Sequence, residues 1–268
     1  MRTTTNVLYV KSPDADPNLQ SLDIYSPDET NNAQPTLLWV HGGGWMTSDK
    51  QKEVADKAAF FTQLGYVFVS VNYRLSPDVQ HPAHTQDVAQ SIAWVHQNIE
   101  GYGGNPQQII LMGHSAGGHI VALLGTNARF MLELGLDPQI IRGILVVDGV
   151  GFDVESRMRR QQKNFSRMYT QAFGSHEEDW TDASPVLHVG THTYTPRFLM
   201  LCADHSNQAP VAAHIFSEAL KAAKIPAQVT VISNKDHGTI NTDIGKYKEV
   251  INMVIEDFLK ECFLVDSQ

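Results

Sequence analysis

The amino-acid sequence predicts an α/β protein with a mostly parallel sheet and helices on both faces. Short apolar runs alternate along the chain with longer segments of helical periodicity, and several of these runs are apolar throughout. A strand that is apolar throughout is typical of a sheet covered on both faces. Strands that alternate with helices indicate parallel pairing through crossover connections. We therefore expect eight strands, mostly parallel, between two layers of helices.

The first half of the chain contains five of these strands. Residues 21–25 alternate polar and apolar side chains, as in a half-buried strand, and turn residues at 12–18 favour an antiparallel pair at the start. A capping-box pattern at Ser48 and Gln51 predicts the beginning of a helix that ends at Gly65. The other expected elements here are strands at 6–10, 19–25, 36–40, 66–71 and 109–112 and a helix at 82–99.

The second half continues the alternation around one irregular segment. Residues 152–195 show no clear strand but carry arginines and large apolar side chains, so we expect a cap-like helical insert that overhangs the site. The remaining expected elements are strands at 143–148, 197–202 and 227–232 and helices at 208–224 and 245–262. We expect residues 1–268 to form a single domain, because α/β folds of this length are routinely single domains.

Charge and hydropathy exclude several classes of protein. The formal net charge of −9 and the absence of a basic stripe disfavour a nucleic-acid partner. No apolar run approaches the length of a membrane span, and the N-terminal residues lack the hydrophobic segment of a signal peptide. We therefore expect a cytoplasmic protein whose partner is a small molecule. The sequence leaves a homodimer open.

Neither a metal nor a cofactor is expected. The histidine pair His81 and His84, like the pair His188 and His192, lacks a third ligand nearby in sequence, and fingerprints for phosphate or dinucleotide binding are absent. The two cysteines, at positions 202 and 262, fit no disulfide framework, and we expect them to pack in the core.

The motif that organises the chain is G-x-S-x-G at Gly113–Gly117, between an apolar run and an expected helix. In this context the motif is a nucleophile elbow, a strained turn that lifts a serine hydroxyl above the edge of the sheet. The two glycines are needed because neighbouring chain crowds the turn and a Cβ would clash. We infer that Ser115 is a nucleophile.

A serine hydroxyl needs a base to accept its proton, and the base needs a carboxylate to fix its tautomer. In open α/β sheets these groups lie at the carboxyl ends of strands. His237 follows the last expected strand, and Asp204 follows the strand before it. The order Ser115, Asp204, His237 is the order of a hydrolase of the α/β type. We therefore expect these three residues to form the catalytic triad.

Other residues remain candidates for these roles. Asp148 and Asp153 are alternatives for the acid, and Asp148 ends a neighbouring strand from which a carboxylate can also reach the base. His114, His119 and His205 are alternatives for the base. They lie beside other catalytic candidates, and such neighbours in sequence usually point elsewhere.

The glycine-rich segment His41–Trp45 follows an early strand and exposes backbone N–H groups. Attack on a carbonyl creates an oxyanion, which preorganised N–H donors stabilise. A loop of this type supplies such donors together with the residue after the nucleophile. We expect Gly43, Gly44 and Ala116 to form the oxyanion hole.

Four features together resemble the α/β-hydrolase esterases of the hormone-sensitive-lipase and bacterial feruloyl-esterase-like (BD-FAE-like) groups. They are HGGGW at 41–45, NYRL at 72–75, GHSAGGH at 113–119, and the aspartate and histidine near the C-terminal end of the sequence, Asp204 and His237. The resemblance covers roughly residues 20–260. It implies an α/β-hydrolase fold and places the catalytic roles on Ser115, Asp204 and His237. Kynurenine formamidases are also similar in the glycine loop and the elbow.

These features predict a serine hydrolase that cleaves carboxylic esters of small or medium acyl groups through an acyl-enzyme. An arylformamidase is the alternative; it would use the same triad on an N-formyl amide, with Arg157, Arg159 or Arg160 as a cation for the substrate carboxylate. A non-catalytic binding protein on a hydrolase fold is a third hypothesis. No member of the expected triad is missing, which argues against it.

Overall fold

The sheet of this computed structural model has eight strands, and the structure describes residues 1–28, 33–160, 166–206 and 208–263. The strands in chain order are β1 (Arg2–Leu8), β2 (Ser21–Ser26), β3 (Gln34–Val40), β4 (Val67–Val71), β5 (Gly104–His114), β6 (Ile141–Val147), β7 (Arg197–Ala203) and β8 (Ala227–Ile232). Their order across the sheet is β1-β2-β4-β3-β5-β6-β7-β8. All eight expected strands are present.

Pairing is parallel across most of the sheet. Strand β2 pairs antiparallel with β1 and with β4, and every pairing from β4 to β8 is parallel. This confirms the predicted mostly parallel α/β class and the antiparallel start. Because the strands from β3 to β8 run in one direction, their carboxyl ends meet at one edge of the sheet, where side chains from distant parts of the sequence come together.

Helices cover both faces of the sheet. The helices in the described residues are α1 (Ala55–Gln63), α2 (Ala83–Asn98), α3 (Ala116–Thr126), α4 (Arg129–Leu132), α5 (Val154–Arg159), α6 (Ser166–Phe173), α7 (Glu177–Asp182), α8 (Ala209–Ala222), α9 (Thr239–Thr242) and α10 (Val250–Glu261). Ile109 and Leu111 of β5 pack in the core with α2, α3 and α8, whereas Ile110 and Met112 pack in the core with α1 and α10. Successive side chains of a strand point to opposite faces, so the apolar run of β5 fills both cores.

The first helix begins later than the sequence predicted. Helix α1 starts at Ala55, and its N-cap residue Val54 makes no capping hydrogen bond through its side chain. Ser48 has a φ of 90°, and the Gln51 side chain donates instead to Asp23 on β2 at 3.2 Å. The predicted capping box is therefore wrong, because Gln51 is bound to a neighbouring strand.

The segment between β6 and β7 is helical, and it contacts the body of the fold through buried and half-buried polar groups. It contains α5, α6, α7 and a 3₁₀ turn at Pro185–His188. Asp182 of α7 accepts hydrogen bonds from the His81 ring at 2.8 Å and from Arg129 at 2.7 Å. The Nε2–H of His119 on α3 donates a hydrogen bond to the carbonyl oxygen of Ala183 at 2.7 Å. Within the described residues, no helix combines the length and apolarity that crossing a bilayer requires.

Three buried histidines are expected to make folding sensitive to mild acid. Burial lowers the pKa values of His84, His114 and His119 to about 3, from an ordinary value of 6.5. The unfolded chain therefore takes up protons below pH 6.5 that the folded chain does not bind, and stability falls as the pH falls. Below pH 6.5, each histidine lowers the free energy of unfolding by about 1.4 kcal/mol per pH unit. Together the three lower it by about 6 kcal/mol by pH 5.

Urea unfolding followed between pH 7 and pH 5 measures this effect. The expected slope corresponds to at least about three protons taken up on unfolding near pH 5, because burial also lowers the pKa of His41. The window lies above the range in which most carboxylates titrate, so the histidines dominate it. Stability that stays constant across the window would contradict the buried, neutral state of these rings.

Candidate active site

Ser115 lies in the sharp turn between β5 and α3. Its backbone has φ 53° and ψ −115°, a conformation that residues with a side chain rarely adopt. A Cβ at Gly113 would overlap the carbonyl of Gly117, and a Cβ at Gly117 would overlap the carbonyls of Val40 and His41. The two glycines therefore permit the close approach of chain that the elbow requires.

The ring of His237 is within hydrogen-bond distance of Ser115. The residue follows β8, and its Nε2 lies 3.0 Å from the Ser115 Oγ. On its other side, Nδ1 lies 2.7 Å from the Asp148 Oδ2. A carboxylate only accepts hydrogen bonds, so Nδ1 carries the proton and Nε2 is left to accept from the serine hydroxyl. This tautomer is the one that a general base needs.

The carboxylate that contacts His237 is Asp148, and the prediction of Asp204 for this contact is wrong in this structure. Asp148 directly follows β6 and is fully buried, with a φ of 46°. Its Oδ1 accepts the N–H of Ala203 at 2.9 Å, and its own N–H donates to Leu201 at 2.7 Å. These contacts with the neighbouring strand hold the carboxylate beneath the histidine ring.

Asp204 binds the backbone of the loop that carries the histidine. Its two carboxylate oxygens accept the N–H groups of Asn234 and Lys235 at 2.8 and 3.0 Å. Those two bonds hold the pKa of the Asp204 carboxyl below its ordinary value. Asp204 therefore stabilises the turn between β8 and His237, and it makes no hydrogen bond to the His237 ring among the described contacts.

The other sequence candidates lie elsewhere. Asp153 caps α5 through the N–H of Ser156 at 2.9 Å. His119 is buried behind Trp45, with ring centroids 5.3 Å apart. The exposed His205 lies 3.8 Å from Asp204. None of these side chains contacts Ser115 among the described interactions.

His114, next to the serine, packs under the ring of His237. The two ring centroids are 4.6 Å apart, and Nε2 of His114 lies 2.8 Å from the backbone carbonyl of His237. Burial, followed by the nearby His237, lowers the pKa of His114 to about 3. The ring is therefore neutral at physiological pH and donates its Nε2–H to that carbonyl, which fixes the loop that carries His237.

The glycine loop and the start of α3 border the same cavity as Ser115. Gly43, Gly44 and Ala116 all line it, and their N–H groups donate to no acceptor within the described parts of the chain. Gly43 and Gly44 have φ values of 103° and 61°, and a Cβ on Gly44 would lie 2.6 Å from the Met168 sulfur. These positions therefore require glycine, and their free N–H donors suit a developing negative charge.

The cavity above these residues has a volume of about 580 Å³. Its roof includes Arg157, Met168 and Tyr169 from the helical segment between β6 and β7, and Ser206 and Gln208 border it before α8. The sequence did not single out the last two, since a serine and a glutamine in a loop carry no distinguishing pattern. The space suits a ligand of small or medium size.

Comparison with known proteins places the chain in a family. The BD-FAE family model matches residues 22–223, which is most of the chain and includes the glycine loop and the elbow. The chain belongs to the BD-FAE family. This agrees with the resemblance found in the sequence.

Two curated relatives of this BD-FAE family member are named as esterases. Esterase LipQ of Mycobacterium tuberculosis is 31% identical over a match of 258 residues that covers 89% of this chain and 58% of LipQ. Esterase LipC of the same organism is 30% identical over 228 residues, covering 81% of this chain and 54% of LipC. The chain therefore spans about half the length of the curated relatives it matches.

Solved structures confirm the α/β-hydrolase fold. Esterase B from Lactobacillus rhamnosis superposes with a TM-score of 0.80 at 20% identity, covering 97% of this chain and 85% of that one. A truncated carbohydrate esterase from gut microbiota gives a TM-score of 0.80 at 21% identity, with 98% and 96% coverage. At this level of identity the likeness concerns the fold.

Proposed function

We propose that the protein is a serine carboxylesterase that hydrolyses small-molecule esters of small or medium acyl groups. The observation that carries the proposal is the unbroken series of contacts from Ser115 through His237 to the buried Asp148. Membership of the BD-FAE family and the esterase names of the relatives support ester chemistry. They do not favour the formamidase alternative.

In the proposed mechanism, Ser115 attacks the ester carbonyl while His237 takes its proton. Asp148 stabilises the imidazolium that forms and keeps the ring oriented. The N–H groups of Gly43, Gly44 and Ala116 hold the oxyanion of the tetrahedral intermediate. His237 then protonates the leaving alcohol, which gives an acyl-enzyme. A water molecule repeats the sequence, regenerates Ser115 and releases the acid.

We also propose that residues 1–268 form one α/β-hydrolase domain in which residues 152–195 act as the cap. Arg157, Met168 and Tyr169, which border the cavity, support this role. Residues 161–165 of this insert lie outside the described residues. The cap covers the cavity in which the acyl or alcohol group would lie.

The proposal is tested by turnover of p-nitrophenyl esters of increasing acyl length against N-formylkynurenine. We expect hydrolysis of the short and medium esters and a much lower kcat/KM for the formamide. The Ser115→Ala variant, prepared in parallel, controls for contaminating hydrolases. Preference for the formamide, or ester hydrolysis equal in the variant, would overturn the proposal.

A further inference from the structure

Arg157 borders two cavities. It borders the 580 Å³ cavity that contains Ser115 and also a second cavity of about 270 Å³ between α5 and α8. The second cavity is bordered by Phe152, Asp153 and Phe216, among other residues. A substrate group that extends from the reacting carbonyl towards α5 would therefore reach the guanidinium.

The guanidinium of Arg157 is held in place on two sides. It stacks on the ring of Tyr169, with its central carbon 4.6 Å from the ring centroid, and Nη2 donates to Gln208 at 3.0 Å. Tyr169 is itself buried and packs edge-on against Trp45 at 5.2 Å. Because the supporting ring of Tyr169 is fixed in the core, the planar guanidinium of Arg157 loses little conformational freedom when it binds a ligand.

Position distinguishes Arg157 from the two arginines that follow it in the described chain. Arg160 borders only the second cavity, whereas Arg159 lines neither cavity and forms surface ion pairs with Glu155 at 3.0 Å and Glu177 at 2.8 Å. Among the described residues that line the Ser115 cavity, Arg157 is the only arginine or lysine. The only carboxylate among those lining residues is Asp148, which is bonded to His237. Within the described lining of this cavity, Arg157 is therefore the one basic side chain of fixed charge, and the proposed reaction does not use it.

We propose that Arg157 binds a carboxylate of the substrate, so that the preferred substrates are esters that carry a free carboxylate in the acyl or the alcohol part. The inference rests on the proposed ester hydrolysis and specifies its substrate class. A single guanidinium matches a carboxylate in charge and in its two-pronged hydrogen-bond geometry. The Ser115 cavity would hold both groups, with the ester at Ser115 and the carboxylate at the side of the cavity bordered by Arg157.

Two matched substrate series test this assignment. On the acyl side, the mono-p-nitrophenyl esters of adipic, pimelic and suberic acids are compared with the uncharged p-nitrophenyl esters of equal chain length. On the alcohol side, p-carboxyphenyl acetate is compared with its methyl ester. The quantity measured is the ratio of kcat/KM for the anionic ester to kcat/KM for its uncharged partner. It is determined for the wild type, Arg157→Gln and the control Arg159→Gln.

We expect this ratio to fall about 10- to 100-fold in Arg157→Gln for at least one series, as for loss of a hydrogen bond to a charged group. In Arg159→Gln it should stay within about 2-fold, since that side chain forms surface pairs of small energetic effect. An equal ratio in the wild type and Arg157→Gln for both series would overturn the inference. Wild-type hydrolysis of the uncharged esters would then leave the proposed function standing. Absence of hydrolysis of every ester would overturn both.

Discussion

Ser115→Ala is expected to lower kcat for p-nitrophenyl acetate by about 10⁶-fold, the size of effect seen when a serine nucleophile is removed from a triad. Without Oγ no acyl-enzyme forms, and the remaining N–H donors at Gly43, Gly44 and Ala116 only polarise the carbonyl for attack by water. His237→Ala should have nearly the same effect. The double variant should be no worse than either single one, because the two residues act as a unit.

The fold should survive the serine substitution. Alanine keeps the Cβ of Ser115, and no hydrogen bond within the described chain depends on the hydroxyl except the one to His237. Thermal unfolding within a few degrees of the wild type, together with an unchanged circular dichroism spectrum, is the control. A folded Ser115→Ala protein that keeps wild-type turnover would exclude this residue as the nucleophile.

Asp148→Asn should lower kcat by about 10⁴-fold, as the equivalent change does in a serine protease triad. The introduced amide can donate to Nδ1 of His237, which favours the tautomer with the proton on Nε2. That tautomer cannot accept the proton of Ser115. The oxygen of the introduced amide can still accept the N–H of Ala203, so most of the buried packing is retained.

The same substitution at Asp204 is the matched control. Asp148 follows β6 and Asp204 follows the adjacent strand β7. Asp148 contacts His237, whereas Asp204 accepts hydrogen bonds from the backbone N–H groups of Asn234 and Lys235. Asp204→Asn should therefore lower kcat by less than about 10-fold, through loosening of two loop hydrogen bonds. A larger loss in Asp204→Asn than in Asp148→Asn, measured with p-nitrophenyl acetate, would restore Asp204 as the acid.

The elements that position the site could be predicted because their sequence patterns are local. The apolar run before Gly113 indicates a buried strand, and the two glycines of the motif are explained by the crowding found around Ser115. His237 could be selected because it follows the last strand. In each of these cases, residues close together in sequence determine the local structure.

The sequence order led to the choice of Asp204, with Asp148 as an alternative, and the contact with His237 is made by Asp148. Strands β6 and β7 are parallel neighbours, with Val147 paired to Leu201, so both acids emerge at the same edge. The difference arises from the positive φ of Asp148 and its bond to Ala203. These features depend on packing between strands far apart in sequence, which a periodic pattern does not encode.

The composition of the cavity was also beyond the sequence. The arginines at 157, 159 and 160 were indistinguishable as candidates for binding an anion. Only the packing of α5 shows that Arg157 borders the cavity with Ser115, whereas Arg159 is bound by glutamates at the surface. Helix orientation in an irregular insert depends on contacts with the rest of the fold.

Labelling with a fluorophosphonate, followed by peptide mapping by mass spectrometry, tests most directly whether Ser115 is an activated nucleophile. We expect one adduct per chain, on the peptide that contains Ser115. Labelling should be slow in His237→Ala and Asp148→Asn and normal in Asp204→Asn. An adduct on a different residue, or labelling of Ser115 that does not depend on His237, would contradict a Ser115 nucleophile activated by His237.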